Sequence, residues 1–158
     1  MASLRLRLLA LLLVASGCNT DKLAHLEKEN HDLSAKLDAV AKAANLDLQE
    51  QCANQASSAF RELGWKKEPS AGYANHYHEK LNKCFIEIYS MKAPSVSMSV
   101  SDAFEGKVYA EYFWINTHGR KYWEVRPDTC KVTLLSGHEQ TCKSQEEFEQ
   151  LIKAYMEQ

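Results

Sequence analysis

"KCFIEIYSMKAPSVSMSV" occupies residues 83–100, and its two periodicities decide the fold. Up to Met91 the residues alternate. Cys84, Ile86 and Ile88 share one face, and Phe85, Glu87 and Tyr89 share the other, the pattern of a half-buried strand. Pro94 interrupts the run. Beyond it Val96, Met98 and Val100 alternate with serines, which predicts a second strand with one wet face.

Further strands are expected downstream. "GKVYAEYFWI" at 106–115 is opened by Gly106, and "KYWEVR" at 121–126 follows a turn at Gly119. Pro127-Asp128 marks the next turn. The stretch "CKVTLLSGHEQTC" at 130–142 reads as a hairpin. Three-residue hairpin loops commonly end in a left-handed Gly. Taking Leu135-Ser136-Gly137 as that loop pairs Leu134 with His138 and Val132 with Gln140, and sets Cys130 opposite Cys142. At a non-hydrogen-bonded site such opposed residues are close enough to bridge. Of three pairings, the expected one is therefore Cys130–Cys142 with Cys52–Cys84.

Helices flank the strands. In residues 48–63, Cys52, Ala56, Ala59, Phe60 and Leu63 fall on one helical face, and Gly64 is placed to end the helix. Residues 64–81, with Gly64, Pro69 and Gly72, read as an irregular connection. At the C-terminal end Ser144 and Glu147 form a capping box, ahead of an apolar stripe of Phe148, Leu151, Ile152 and Tyr155. The expected class is α+β: an antiparallel sheet flanked by an N-terminal and a C-terminal helix, both covering one face, with two disulfides.

The chain opens "MASLRLRLLALLLVASGC". Arg5 and Arg7 precede an apolar run, Leu8 to Val14, and then small residues, as in a secretory signal. The run is shorter than the roughly 20 residues a membrane span needs. Ala15-Ser16-Gly17-Cys18 resembles the lipobox of bacterial lipoproteins, with Ala15 where the family usually has Leu. The resemblance covers the first 18 residues. It implies cleavage after Gly17 and an N-acyl group and S-diacylglycerol on Cys18; no cofactor is expected besides these. By similarity to enterobacterial lipoproteins, Asn19 implies the outer membrane of a bacterial cell envelope. Three acyl chains exceed the two signals that stable anchoring takes.

The expected organisation is a cleaved signal at 1–17, a lipid anchor and heptad helix at 18–50, and a disulfide-stapled domain at 51–158. The formal charge of −2 gives no basic excess for nucleic acid. Of five cysteines, Cys18 is the acylation position, and four remain for disulfides in an oxidising compartment. None of the four is spaced as C-x-x-C, which argues against a zinc site.

Residues 22–51 contain neither Gly nor Pro. Leu23, Asn30, Leu37 and Ala44 recur at position a of a heptad, and Leu26, Leu33 and Val40 at position d. Asp32–Lys36 and Asp38–Lys42 are acid-first i,i+4 pairs. Asp47, at the next d, ends the seam. A short self-associating coiled coil is one expectation, and an amphipathic helix packed on its own domain is the other. An acylated Cys followed by a heptad helix resembles the layout of the major outer-membrane lipoproteins over about residues 18–50.

The search for chemistry centres on "NHYHEKLN" at 75–82. A zinc-protease helix needs His at i and i+4, but Asn82 stands at the second position. His76 and His78 still share a face in an extended chain and are a weak metal-ligand pair. The stretch otherwise reads as the entry to the first strand. No G-x-S-x-G occurs, and Asp102, Glu105 and Glu111 form no specific carboxylate pair.

Aromatic residues, Phe113 among them, crowd the strands at 106–126. Tyr109, Tyr112, Trp114, Tyr122 and Trp123 are candidates for an exposed binding strip. The alternative is that they pack against residues 64–81 or under the tether helix. The sequence leads to a non-catalytic, lipid-anchored envelope protein that binds a protein or a cell-wall glycan. A small periplasmic hydrolase or metal-binding protein using His76 and His78 is the alternative.

Overall fold

A computed structural model describes residues 2–116, 119 and 125–157, with side chains from residue 20 onward. The order is helix α1 (Ala2–Glu62), strands β1 (Ala71–His78), β2 (Lys83–Ser90), β3 (Ser95–Asp102), β4 (Val108–Ile115), β5 (Thr129–Thr133) and β6 (Glu139–Thr141), then helix α2 (Gln145–Met156). The strands form one antiparallel sheet in sequence order, so the class is α+β as expected. Among the described residues no helix is long and apolar enough to cross a membrane.

The chain divides into two compact units, Met1–Ala44 and Asn45–Gln158. In the first, the heptad residues Leu23, Leu26, Leu33, Leu37 and Val40 are all exposed, Leu37 by 69%. Asn45 lies in the second unit, where its amide donates to the Glu79 carboxylate.

Within the second unit α1 ends at Glu62, and the chain turns away at Gly64, whose φ of +80° is open to glycine at no steric cost. The irregular connection expected over 64–81 covers only residues 64–70. β1 pairs with β2 from Ala71↔Ser90 to His78↔Lys83. Its sequence, AGYANHYH, hides the strand, because small and polar residues blunt the alternation of Tyr73 and Tyr77. A 3-10 turn, Glu79–Leu81, and left-handed Asn82 (φ 49°) carry the chain into β2. His76 and His78 therefore sit in the first strand itself, and Cys84 lies in the second.

The expectation that both helices cover one face is overturned. Phe85 belongs to a core with Val96, Met98, Val100, Tyr112, Trp114 and Val132 beneath Phe148, Ile152 and Tyr155 of α2. Ile86, its neighbour, belongs to a smaller core with Ile88, Cys84 and Ala103 beneath Cys52, Ala56 and Phe60 of α1. Successive strand residues point to opposite faces, so the helices lie on opposite sides of the sheet. β2 is buried on both, which is why both of its alternating sets are apolar-rich.

The hairpin matches its expected register. Val132 pairs with Gln140, Leu134 N donates to His138 O at 2.8 Å, and Gly137 takes φ +87°. Cys130 and Cys142 are bridged with Cα atoms 5.2 Å apart, and Cys52 and Cys84 with Cα atoms 5.3 Å apart. One detail differs. Cys142 N donates to Cys130 O at 3.2 Å, so the pair occupies a hydrogen-bonded site rather than a non-hydrogen-bonded one.

α2 starts at the expected cap. Ser144 Oγ accepts from Glu147 N at 3.2 Å. The Glu147 carboxylate accepts from Lys143 N, one residue upstream of the usual capping-box donor. At the other end Tyr155 donates its hydroxyl to Thr133 O, tying α2 to β5.

Candidate functional site

β3 shows how one face of the sheet comes to be left open. Val96, Met98 and Val100 enter the α2 core, so Ser95, Ser97, Ser99 and Ser101 must face the α1 side. The helical turns of α1 that carry Cys52, Ala56 and Phe60 pack over Ile86 and Ile88 of β2. The serines beyond stay half-buried. On β4 the same parity turns Glu111, Phe113 and Ile115 outward and Ala110, Tyr112 and Trp114 inward.

Two adjoining hollows follow this strip. One, of about 410 Å³, is lined by Leu63, Trp65, Ile88, Ser99, Ser101 and Phe104, among others. The other, of about 290 Å³, shares Trp65, Ile88 and Ser99 and extends to Ser97, Glu111 and Phe113. Trp65 is set by the turn at Gly64. Its amide donates to Phe60 O at 3.1 Å, and its ring stacks at 6.4 Å on that of Phe60. The groove has aromatic and aliphatic walls with hydroxyls between them. Such a surface suits a segment that is apolar and hydrogen-bonding in alternation.

The far rim carries a charge cluster. Asp102 is only 2% exposed. It accepts from Phe104 N at 2.9 Å and Glu105 N at 3.1 Å, and from Lys83 Nζ at 2.8 Å. Burial alone pushes its carboxyl up, but the Lys83 bond and the two backbone donors outweigh this and hold it below its ordinary value. The bonds to Asp102 and then Glu105 raise the Lys83 ammonium in turn. A hollow of about 380 Å³ adjoins this cluster and reaches Leu48, Tyr77 and Leu81. Lys83 of β2 pairs with both Asp102, at the end of β3, and Glu105, in the β3–β4 connection, which is a structural arrangement.

The sequence candidates scatter. Tyr112 (2% exposed) and Trp114 (6%) lie buried in the α2 core. Their strand parity puts them opposite the exposed strip. Tyr109 is half-buried at the edge of the same core, its ring 5.5 Å from Phe85 and 5.3 Å from Tyr155. Tyr122, Trp123 and the expected strand around them lie outside the described residues. So does the side chain of Cys18. Of the groove aromatics, Trp65 is absent from the sequence cluster, and Phe113 belongs to that cluster without being one of its binding candidates. Glu111 was the available signal, since a charge on the odd-numbered set of β4 marks that set, Phe113 included, as outward.

The histidines do not form a site on the surface. Their rings meet edge-on, 6.2 Å apart. His78 is buried, 6.2 Å from Phe85, and its Nδ1 accepts from Leu81 N at 3.3 Å. This ring thus closes the β1–β2 turn as the cap of the 3-10 helix. Among the described residues no group of three His, Cys, Asp or Glu side chains is placed to hold a metal ion.

No family model, curated protein or solved structure matches the chain.

Proposed function

We propose that this chain is a lipid-anchored protein of the bacterial cell envelope, held through acylated Cys18 near the outer membrane. In this reading the domain is a non-catalytic module whose groove takes a protein or cell-wall partner. The observation that carries it is the strip of β3 and β4 left uncovered by α1, with Trp65, Phe113 and alternate serines along it. Two disulfides in one small unit support an oxidising compartment, which agrees with an exported chain. The lipobox-like leader supplies the anchor.

Two measurements test the reading. Metabolic labelling with a fatty acid marks the wild-type chain and not Cys18→Ser, and a label that survives the substitution overturns the anchor. A photo-crosslinking residue placed at Phe113 gives a discrete adduct in cells, while the same residue at Lys153 on the exposed side of α2 does not. Equal adducts from both positions overturn the groove.

A further inference from the structure

We infer that residues 22–40 pair with a second copy of the same chain as a parallel, two-stranded coiled coil. The inference is independent of the groove and of lipidation. Six successive a and d positions, Leu23, Leu26, Asn30, Leu33, Leu37 and Val40, lie along one side of a helix. All five apolar members are exposed by half or more in the single chain. A stripe of this kind on an isolated helix leaves its apolar area in water, and a matching stripe removes it.

Asn30 decides what the occupant is. In a parallel pair in register, Asn30 faces Asn30 of the second copy, and the two amides satisfy each other. An antiparallel pair that stacks the same six layers sets Leu23 against Val40, Leu26 against Leu37 and Asn30 against Leu33. The amide is then buried against an aliphatic side chain, without a partner. The flanking charges agree with the parallel arrangement. Lys22 at position g faces Glu27 at e of the second copy, and no like-charged g–e pair arises at Glu29–Ser34 or Lys36–Ala41. The seam closes at Ala44 and Asp47, where small and charged residues replace leucine.

Cysteine substitution in the full chain, expressed in cells and mildly oxidised, tests the pairing. Leu26→Cys, at d near one end, gives a reducible band at twice the chain mass. Lys28→Cys, on the outer face, gives none. Both sites are exposed, so neither substitution disturbs folding. In the antiparallel arrangement two Leu26 positions stand about 16 Å apart along the axis and do not bridge. The inference is overturned if Leu26→Cys yields no dimer, or if Lys28→Cys yields as much. The mass of the detergent-solubilised wild-type chain corresponds to two copies, and a mass of one or three copies also overturns it. A reducible dimer already present in the wild type has to run through a free Cys18 thiol. That result counts against lipidation, and the pairing is then read in a Cys18→Ser background by the same two substitutions.

Discussion

Phe85 and Ile86 are consecutive in β2 and belong to different cores, one under α2 and the other under α1. The sheet is therefore the shared wall of two apolar layers. Phe148 fills the first and Phe60 the second. Phe148→Ala and Phe60→Ala each cost about 3–5 kcal/mol. The two losses add to within about 0.5 kcal/mol, because the rings share no partner. Urea unfolding of both single variants and the double variant checks this, and a strong interaction term contradicts two separate cores.

The disulfides contribute unequally. Cys52–Cys84 closes a separation of 32 residues and joins α1 to β2, while Cys130–Cys142 closes 12 within one hairpin. Loop-closure entropy assigns about 3.7 kcal/mol to the first and about 2.9 kcal/mol to the second. Paired Cys→Ala variants should rank in that order in thermal unfolding.

Asp102 makes part of the stability depend on acid. Its carboxyl is held below its ordinary value, so the unfolded chain binds a proton more readily than the folded one. That contribution is complete above the ordinary carboxylate range and fades as pH falls through it. Asp102→Asn destabilises by about 2 kcal/mol at pH 7, since Lys83 and the turn amides lose a charged acceptor. The difference from wild type narrows toward pH 3. A difference that does not change with pH contradicts the assignment.

Glu87 carries the opposite sign. Burial first, then the nearby Glu149 charge, raises its carboxyl above the usual value. The folded state binds the proton more tightly, so this residue's contribution is favourable at low pH and declines as pH rises from the ordinary value through the raised one. Glu87→Gln raises the melting temperature at pH 7 by a few degrees and leaves it nearly unchanged at pH 4.

How far the sequence reached depended on how the local signals were composed. β2 and β3 were legible because their alternation is dense, and the β5–β6 hairpin because Gly137 fixes its register. β1 was not, since Ala71, Gly72, Ala74 and Asn75 lack the bulk that marks a strand. Its pairing with β2 outweighs that local weakness. The sides taken by the two helices were also out of reach. Phe85 and Ile86 are both apolar, and nothing local says which one faces α2. Among the aromatic candidates Tyr112 and Trp114 fall on the inward set of β4, and Glu111 on the other set is the local sign of which residues face outward.

The serines of β3 have a further consequence. Ser95, Ser97, Ser99 and Ser101 contribute to neither apolar layer, while their neighbours Val96, Met98 and Val100 carry one of them. If the groove binds as proposed, folding and recognition are written on alternate letters of a single strand. The even-numbered letters are constrained by packing. Substituting the odd-numbered ones would then change what the groove prefers without rebuilding the interior.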